Sequence, residues 1–375
     1  MSNQKYDALP KIPFSWVAAQ TAVNFTGIGS VKIIGILQQV TVLLILYFAL
    51  APTTSAAQNI ELMRIPSGIS SLNLFMRHLT AAVPNAGPPV LILHGATFPS
   101  ANAAAWRIDG HSWMDDLAEH GYDVYALDFL GYGESDRYPE MFAGPVTGPP
   151  LGDVASMVVQ VEHAVSAIIS RKPGTRIAVI AHSAGTFAAA RYAELHPDRV
   201  ARLVLFGAPV PSDGAQVGQM GEASSARFIQ VSANDQLEAF ESGVRETGRL
   251  DSHMFEDWAA AYLASDAESN TRQPASVRVP AGLSAAVVEM SRRGTLPYDP
   301  ARIMTPTLVI QGEWDAVAPP SQGLWLFEHL ASPFKRFVVL SQGGHRLHLE
   351  RSRSELYQEV LAFLAARSAT GESVR

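Results

Sequence analysis

From residue 60 onward, short apolar runs alternate with stretches whose apolar positions recur at helical spacing, as expected where strands and helices take turns along a chain. Strands are predicted over 60–65 and 72–79, as a hairpin, and then over 89–94, 122–129, 176–181 and 202–206. Helices are predicted over 112–120, over 154–170 and from Ser183 through Glu194. The runs 89–94 and 176–181 are apolar without alternation, which suits strands buried on both faces. Between 212 and 300 the strand signal disappears, and polar helix-like stretches at 236–247, 254–265 and 283–293 replace it. The alternation then resumes with a strand at 307–311, a helix at 322–329, a strand at 336–340 and a closing helix at 352–367. This order predicts an α/β fold with a mainly parallel central sheet, its core split into 58–211 and 301–375 by an inserted helical cap at 212–300.

Upstream the pattern is different. Residues 33–51 are almost wholly apolar, preceded by Lys32 and followed by Pro52-Thr53-Thr54-Ser55-Ala56-Ala57. Gln38 and Gln39 interrupt the run and leave 40–51 as a short hydrophobic region, and Ser55 and Ala57 suit cleavage before Gln58. The expectation is a signal peptide over 1–57 and a secreted or periplasmic product. The alternative is an uncleaved anchor using 33–51, the one case in which a membrane partner is expected. A formal charge of -7 offers no basic surface to nucleic acid, so none is expected as a partner. The chain has no cysteine, which excludes disulfides, a thiolate nucleophile, cysteine-ligated zinc and a lipoprotein anchor.

Chemistry concentrates at the carboxyl ends of the predicted strands. In Ile177-Ala178-Val179-Ile180-Ala181-His182-Ser183 an apolar strand delivers a serine to a strand-to-helix turn, where a strained backbone exposes the hydroxyl. Gly185 suits the crowded position two residues on, and Ala181 is the smallest chiral residue for the position two before. Read alone, the segment is equally a helix N-cap. The order of residues further along the chain favours a nucleophile, because an acid and then a histidine come next. Asp315 lies just beyond the strand 307–311, where it would orient an imidazole; Glu313 and Asp213 are the weaker acid candidates. His345, in Gln342-Gly343-Gly344-His345, comes after the last strand on glycines that let the backbone turn. His348 is the competing base, and its plainer reading is packing. His182 is read as structural, and His94 as a brace in the loop after the central strand. The oxyanion donors are assigned to the amides of Ala96 and Ala184. No pattern for a metal or cofactor is present, and neither is expected.

These segments together resemble the α/β-hydrolase family over residues 60–367. His94-Gly95 resembles its oxyanion loop, Asp128-Phe129-Leu130-Gly131-Tyr132-Gly133-Glu134-Ser135 its glycine-rich turn, and Ala181 to Gly185 its nucleophile elbow, with alanine departing from the usual glycine at 181. The resemblance implies a serine esterase or lipase-like branch with a Ser183, His345, Asp315 triad. A serine at 183 disfavours the family's dehalogenases and epoxide hydrolases, which attack with a carboxylate. The absence of a His-Gly-Gly-Pro loop counts against proline iminopeptidases. The expected substrate is a small to medium, partly apolar carboxylic ester. Hydrolysis of a lactone, an amide or a carbon-carbon bond on the same triad is the alternative, and a non-catalytic ligand-binding member a further one. Phe98, Trp106, Trp314 and Trp258 are candidate pocket residues, although aromatics in such a cap more often hold it together.

Overall fold

The strands that read as unbroken apolar runs are those enclosed on both sides. In the computed structural model every residue of β3 (Val90–Leu93), β4 (Val124–Asp128), β5 (Ile177–His182), β6 (Val200–Phe206) and β9 (Thr307–Gly312) is buried. The strands β1 (Glu61–Pro66) and β10 (Lys335–Leu340) close the two edges and are largely accessible. Strand order is β1-β2-β4-β3-β5-β6-β9-β10, with β2 (Asn73–Leu79) antiparallel to both its neighbours and all other pairings parallel. The structure describes residues 60–81, 83–85, 87–143, 146–211, 225–243 and 252–366. The leader at 1–57 and the acid candidate Asp213 lie outside them. Among the described residues no helix is long and apolar enough to cross a membrane.

Alternate residues of each central strand feed different cores. Leu91, Leu93, Val179, Leu203, Leu205 and Val309 pack on one face with α2 (Val154–Arg171) and α3 (Gly185–Leu195). Ile92, Ile180, Val204, Phe206, Leu308 and Ile310 pack on the other with α1 (Trp113–Glu119) and the closing helix. Helix α1 starts where it does because Ser112 and Asp115 form a reciprocal capping box, in which each side chain satisfies the other's amide. Chain order reverses at β3, whose neighbours are β4 on one side and β5 on the other. In an open parallel sheet the carboxyl ends at such a reversal splay apart and leave a crevice. His94 and Ser183 both emerge there.

The segment between β6 and β9 is not purely helical, contrary to the sequence expectation. It contains a two-stranded antiparallel sheet, β7 (Phe228–Ser232) with β8 (Ser276–Pro280), besides α4 (Ala233–Glu241), α5 (Ser252–Ala264) and α6 (Gly282–Arg293). Each strand is five residues long, too short for its alternation to stand out, and the pairing joins segments far apart in sequence. The capping box of Ser232 with Asp235 sets the start of α4 earlier than the apolar pattern suggested. The insertion is tied to the sheet by a reciprocal pair: Trp258 Nε1 donates to the Asn102 carbonyl at 2.8 Å, and Asn102 Nδ2 to the Trp258 carbonyl at 3.3 Å. The remaining helices, α7 (Pro320–His329) and α8 (Arg353–Ala365), flank β10.

Asp128, at the end of β4, organises the loop after β3. Its buried carboxylate accepts from Ser100 N at 2.8 Å, Ser100 Oγ at 2.6 Å, Arg77 Nη1 at 3.0 Å and Glu134 N at 3.1 Å. Removing one partner of a buried ionic network leaves the others desolvated and unpaired. Asp128→Ala is therefore expected to lower stability by about 3 kcal/mol, read from urea unfolding midpoints. A loss below about 1 kcal/mol would mean that the network behaves like a surface pair.

Candidate active site

The turn at Ser183 is built by backbone crowding. Strand β5 ends at His182, Ser183 takes a left-handed conformation with φ of 53°, and α3 begins at Gly185. Chiral residues adopt that region at a cost, so the surroundings must hold it. Ser183 N donates to the Phe206 carbonyl at 2.8 Å, and Thr186 N and Oγ1 both donate back to the Ser183 carbonyl, at 2.9 and 2.6 Å. A β-carbon at Gly185 would lie 2.2 Å from the His94 carbonyl oxygen. Only glycine allows α3 to come so close to the loop after β3. Ala181 is fully buried in the sheet core beside Leu93, where a methyl group is accommodated.

Asp315 and His345, the candidate acid and base, are brought together by a second close approach. A β-carbon at Gly312 would lie 2.3 Å from the Gly343 carbonyl, and Trp314 N donates to that carbonyl at 2.8 Å. The loops after β9 and β10 therefore touch backbone to backbone. Asp315 Oδ1 accepts from Val317 N at 2.9 Å and Ala318 N at 2.7 Å, leaving Oδ2 to accept from His345 Nδ1 at 2.8 Å. With Nδ1 protonated towards a carboxylate, Nε2 carries the lone pair, and it faces Ser183 Oγ at 2.8 Å. Asp315 and His345 are 2% and 8% exposed, so water competes little for either bond. Glu313, the alternative acid, points elsewhere and accepts from Gln342 N at 2.8 Å.

Other residues support this chain of bonds. His182 Nε2 donates to the His345 carbonyl at 2.8 Å, so the residue before Ser183 fixes the loop carrying His345. His94 Nε2 accepts from Phe129 N at 3.2 Å, which leaves Nδ1 to donate to the Gly95 carbonyl at 2.7 Å and shape the loop carrying Ala96. Ala96 lines the same cavity as Ser183, and Ala184 comes directly after Ser183. Neither amide donates to a protein acceptor among the described residues. Gly207, which sequence reasoning missed, has a φ of 58°, and a β-carbon there would stand 3.3 Å from the His345 ring and 3.4 Å from Asp315 Oδ2. Its signal was a glycine closing the strand Leu203-Val204-Leu205-Phe206.

The cavity in front of Ser183 measures about 1250 Å³ and is lined by Thr97, Phe98, Phe228, Gln236, Val317 and Arg346 among others. Phe98, one of the candidate pocket residues, is among this lining. Trp258 is fully buried in the insertion, stacked on Tyr262 and edge-on to Phe98, and lies behind the lining. Trp106 and Trp314 are also outside the lining: Trp106 packs against the core, and Trp314 carries the turn to Asp315. Arg346 and Gln236 were not singled out from sequence. Among the described residues, no group of three or more His, Cys, Asp or Glu is placed to hold a metal.

A family model described as the alpha/beta hydrolase fold matches residues 88–352. Solved structures of similar fold include an esterase from Exiguobacterium antarcticum, 19% identical, with a TM-score of 0.57 over 81% of this chain and 99% of that one. A 2-hydroxy-6-oxo-6-phenylhexa-2,4-dienoate hydrolase from Rhodococcus is 20% identical, with a TM-score of 0.58 over 83% and 100%. A bacterial membrane phospholipase A is 19% identical, with a TM-score of 0.56 over 90% and 98%.

Three enclosed histidines give the site a pH signature. Burial pulls the imidazole of His348 down to about 3, with Arg346 and His345 adding to the effect. Burial lowers His182 well below the ordinary range and lowers His94 as well. In the unfolded chain all three protonate near pH 6.5, so below that value unfolding takes up protons. Stability is expected to be constant above this point and to fall with acidification by up to about 1.4 kcal/mol per pH unit for each histidine. Urea unfolding at pH 7.5 and at pH 5 checks this, and equal stabilities would show that these rings are charged or solvated in the fold.

Proposed function

The chain belongs to the α/β-hydrolase fold family, and from that premise we propose that it is a serine hydrolase that cleaves a carboxylic ester of a small to medium, partly apolar substrate. The observation that carries the reading is the unbroken series from Asp315 Oδ2 through His345 to Ser183 Oγ, each link 2.8 Å, opening onto a cavity with a mixed polar and apolar lining. In the proposed cycle His345 Nε2 takes the Ser183 proton as Oγ attacks the ester carbonyl carbon. Asp315 faces the resulting imidazolium and holds its orientation. The amides of Ala96 and Ala184 donate to the oxygen that becomes negative. Collapse expels the alcohol, which takes the proton from His345, and the acyl group stays on Oγ. Water, deprotonated by the same imidazole, then attacks the acyl carbon, and the imidazolium returns that proton to Ser183 Oγ as the bond to the acyl group breaks and the acid leaves. No step needs a metal or an organic cofactor.

Export is part of the same proposal: the apolar run at 33–51 and the small residues at 55–57 support a cleaved leader. Intact mass of the exported protein starting at Gln58 is the expected result, and retention of residues 33–51 would favour the anchor.

Two measurements test the activity. A fluorophosphonate probe is expected to label Ser183, located by peptide mass spectrometry, and short-chain esters should be turned over. Absence of both would sink the nucleophile assignment, and turnover of lactones or amides alone would move the reading to those bonds. Asp315→Asn keeps the shape of the side chain but forces the wrong histidine tautomer, so kcat is expected to fall by about 10⁴ with unfolding unchanged. Ser183→Ala separates an enzyme from a binding protein, since only the enzyme loses its function.

A further inference from the structure

The cavity in front of Ser183 contains a buried cation that forms no ion pair with an acid among the described residues. Arg346, directly after the base, is 8% exposed and lines the cavity. Among the described residues its one hydrogen bond runs from Nη2 to the Gln236 amide oxygen at 3.1 Å, while Nε and Nη1 have no partner. The rings of Phe98 and Phe240 lie 5.6 and 4.7 Å from the guanidinium carbon and supply an aromatic surround without a full counter-charge. Burial lowers Arg346 to about 10, so it remains protonated at neutral pH.

The acids nearby are committed elsewhere. Asp315 has both oxygens engaged by Val317, Ala318 and His345, and the Glu350 carboxylate accepts from Gly344 N at 3.2 and 3.1 Å. Asp235, Glu238 and Glu241 also line the cavity, but they are exposed along α4, with Asp235 and Glu238 bonded to Ser232 and Asn234 respectively. None of these described acids forms an ion pair with Arg346. A buried charge is ordinarily paired, because taking it out of water is otherwise too costly. Gln236 adds to the polarity of the spot: only 1% exposed, it turns its oxygen to Arg346 and its Nε2 has no partner.

We propose that Arg346 determines specificity, and that the substrate of Ser183 carries a carboxylate on an otherwise apolar body, a few atoms from the bond that is cleaved. The guanidinium supplies the positive charge and, at Nη2, a donor that a carboxylate oxygen can share, and the lining residues Phe98, Phe228 and Val317 take up the apolar part. The inference rests on the reading of Ser183 as nucleophile and narrows it to esters of acidic molecules, such as the half-esters of dicarboxylic acids.

The test compares kcat/KM for mono-4-nitrophenyl glutarate with that for 4-nitrophenyl valerate, which places a methyl group where the other has its carboxylate. The wild-type chain is expected to favour the glutarate half-ester by about tenfold or more, the worth of one charge-assisted bond. In Arg346→Gln this ratio should collapse towards one, whatever the absolute rate, and Arg346→Lys should restore most of it. A wild-type enzyme that labels at Ser183 and hydrolyses valerate with no preference overturns the carboxylate proposal and leaves the nucleophile standing. Failure to label at Ser183 overturns the nucleophile instead. Should Arg346→Gln not fold, inhibition of wild-type valerate hydrolysis decides: glutarate should inhibit at about tenfold lower concentration than glutaramide. Equal inhibition by the two, or stronger inhibition by inorganic phosphate than by glutarate at matched ionic strength, overturns the assignment to a carboxylate.

Discussion

The contact between Gly185 and the carbonyl of His94 is the one on which the rest of the site depends. It joins the start of α3 to the loop leaving β3 at a distance no side chain would permit. Because β3 and β5 are adjacent parallel strands, their carboxyl ends are already neighbours. The missing β-carbon turns that proximity into a fixed relation between Ser183 and the amide of Ala96. The left-handed backbone at Ser183 is tolerable for the same reason, since Phe206 and Thr186 hold its amide and carbonyl from either side. Strain at Ser183 is thus balanced by contacts made on several elements at once.

The second half of the site repeats the device. Gly312 against Gly343 joins the loops after β9 and β10, so Asp315 and His345 meet although thirty residues separate them. His182 then links the two halves, because it closes β5 next to Ser183 and donates to the His345 carbonyl. A site assembled through backbone contacts tolerates little shift in any one loop, since moving Gly343 would move both Asp315 and His345. The same crowding accounts for the supporting histidines being buried and neutral. A charged ring at 182 or 348 would stand beside His345 and oppose the imidazolium that proton transfer creates.

Those local relations were largely legible in the sequence, and the longer-range ones were not. The unbroken apolar strands, the small residues around Ser183 and the glycines before His345 are short-range signals with direct physical causes, and they led to the chemical edge of the sheet. Phe98 was legible for a similar reason, being four residues past the oxyanion loop's histidine. Trp106, Trp258 and Trp314 were not, because an indole in this fold is placed by what it packs on: Trp258 bonds to Asn102, 156 residues away. The strands β7 and β8 were hidden likewise, each being stabilised by a partner across the insertion. Arg346 was passed over because an arginine beside a histidine reads as surface charge until its burial is known.

The burial of Arg346 also bears on the chemistry. In the proposed cycle, proton transfer from Ser183 would place a positive charge on His345 while a guanidinium already lies one residue away in the chain and is also buried. Like charges in such surroundings repel strongly. Asp315 offsets the new charge from the far side of the ring, at Nδ1, but its carboxylate is fully engaged there. An anionic group alongside Arg346 would neutralise the second cation and make the imidazolium easier to form. A neutral substrate would leave the two positive charges facing each other. Substrate charge would then act on the rate of acyl transfer as well as on binding, because the same carboxylate that satisfies Arg346 removes a repulsion that develops only as His345 takes up its proton.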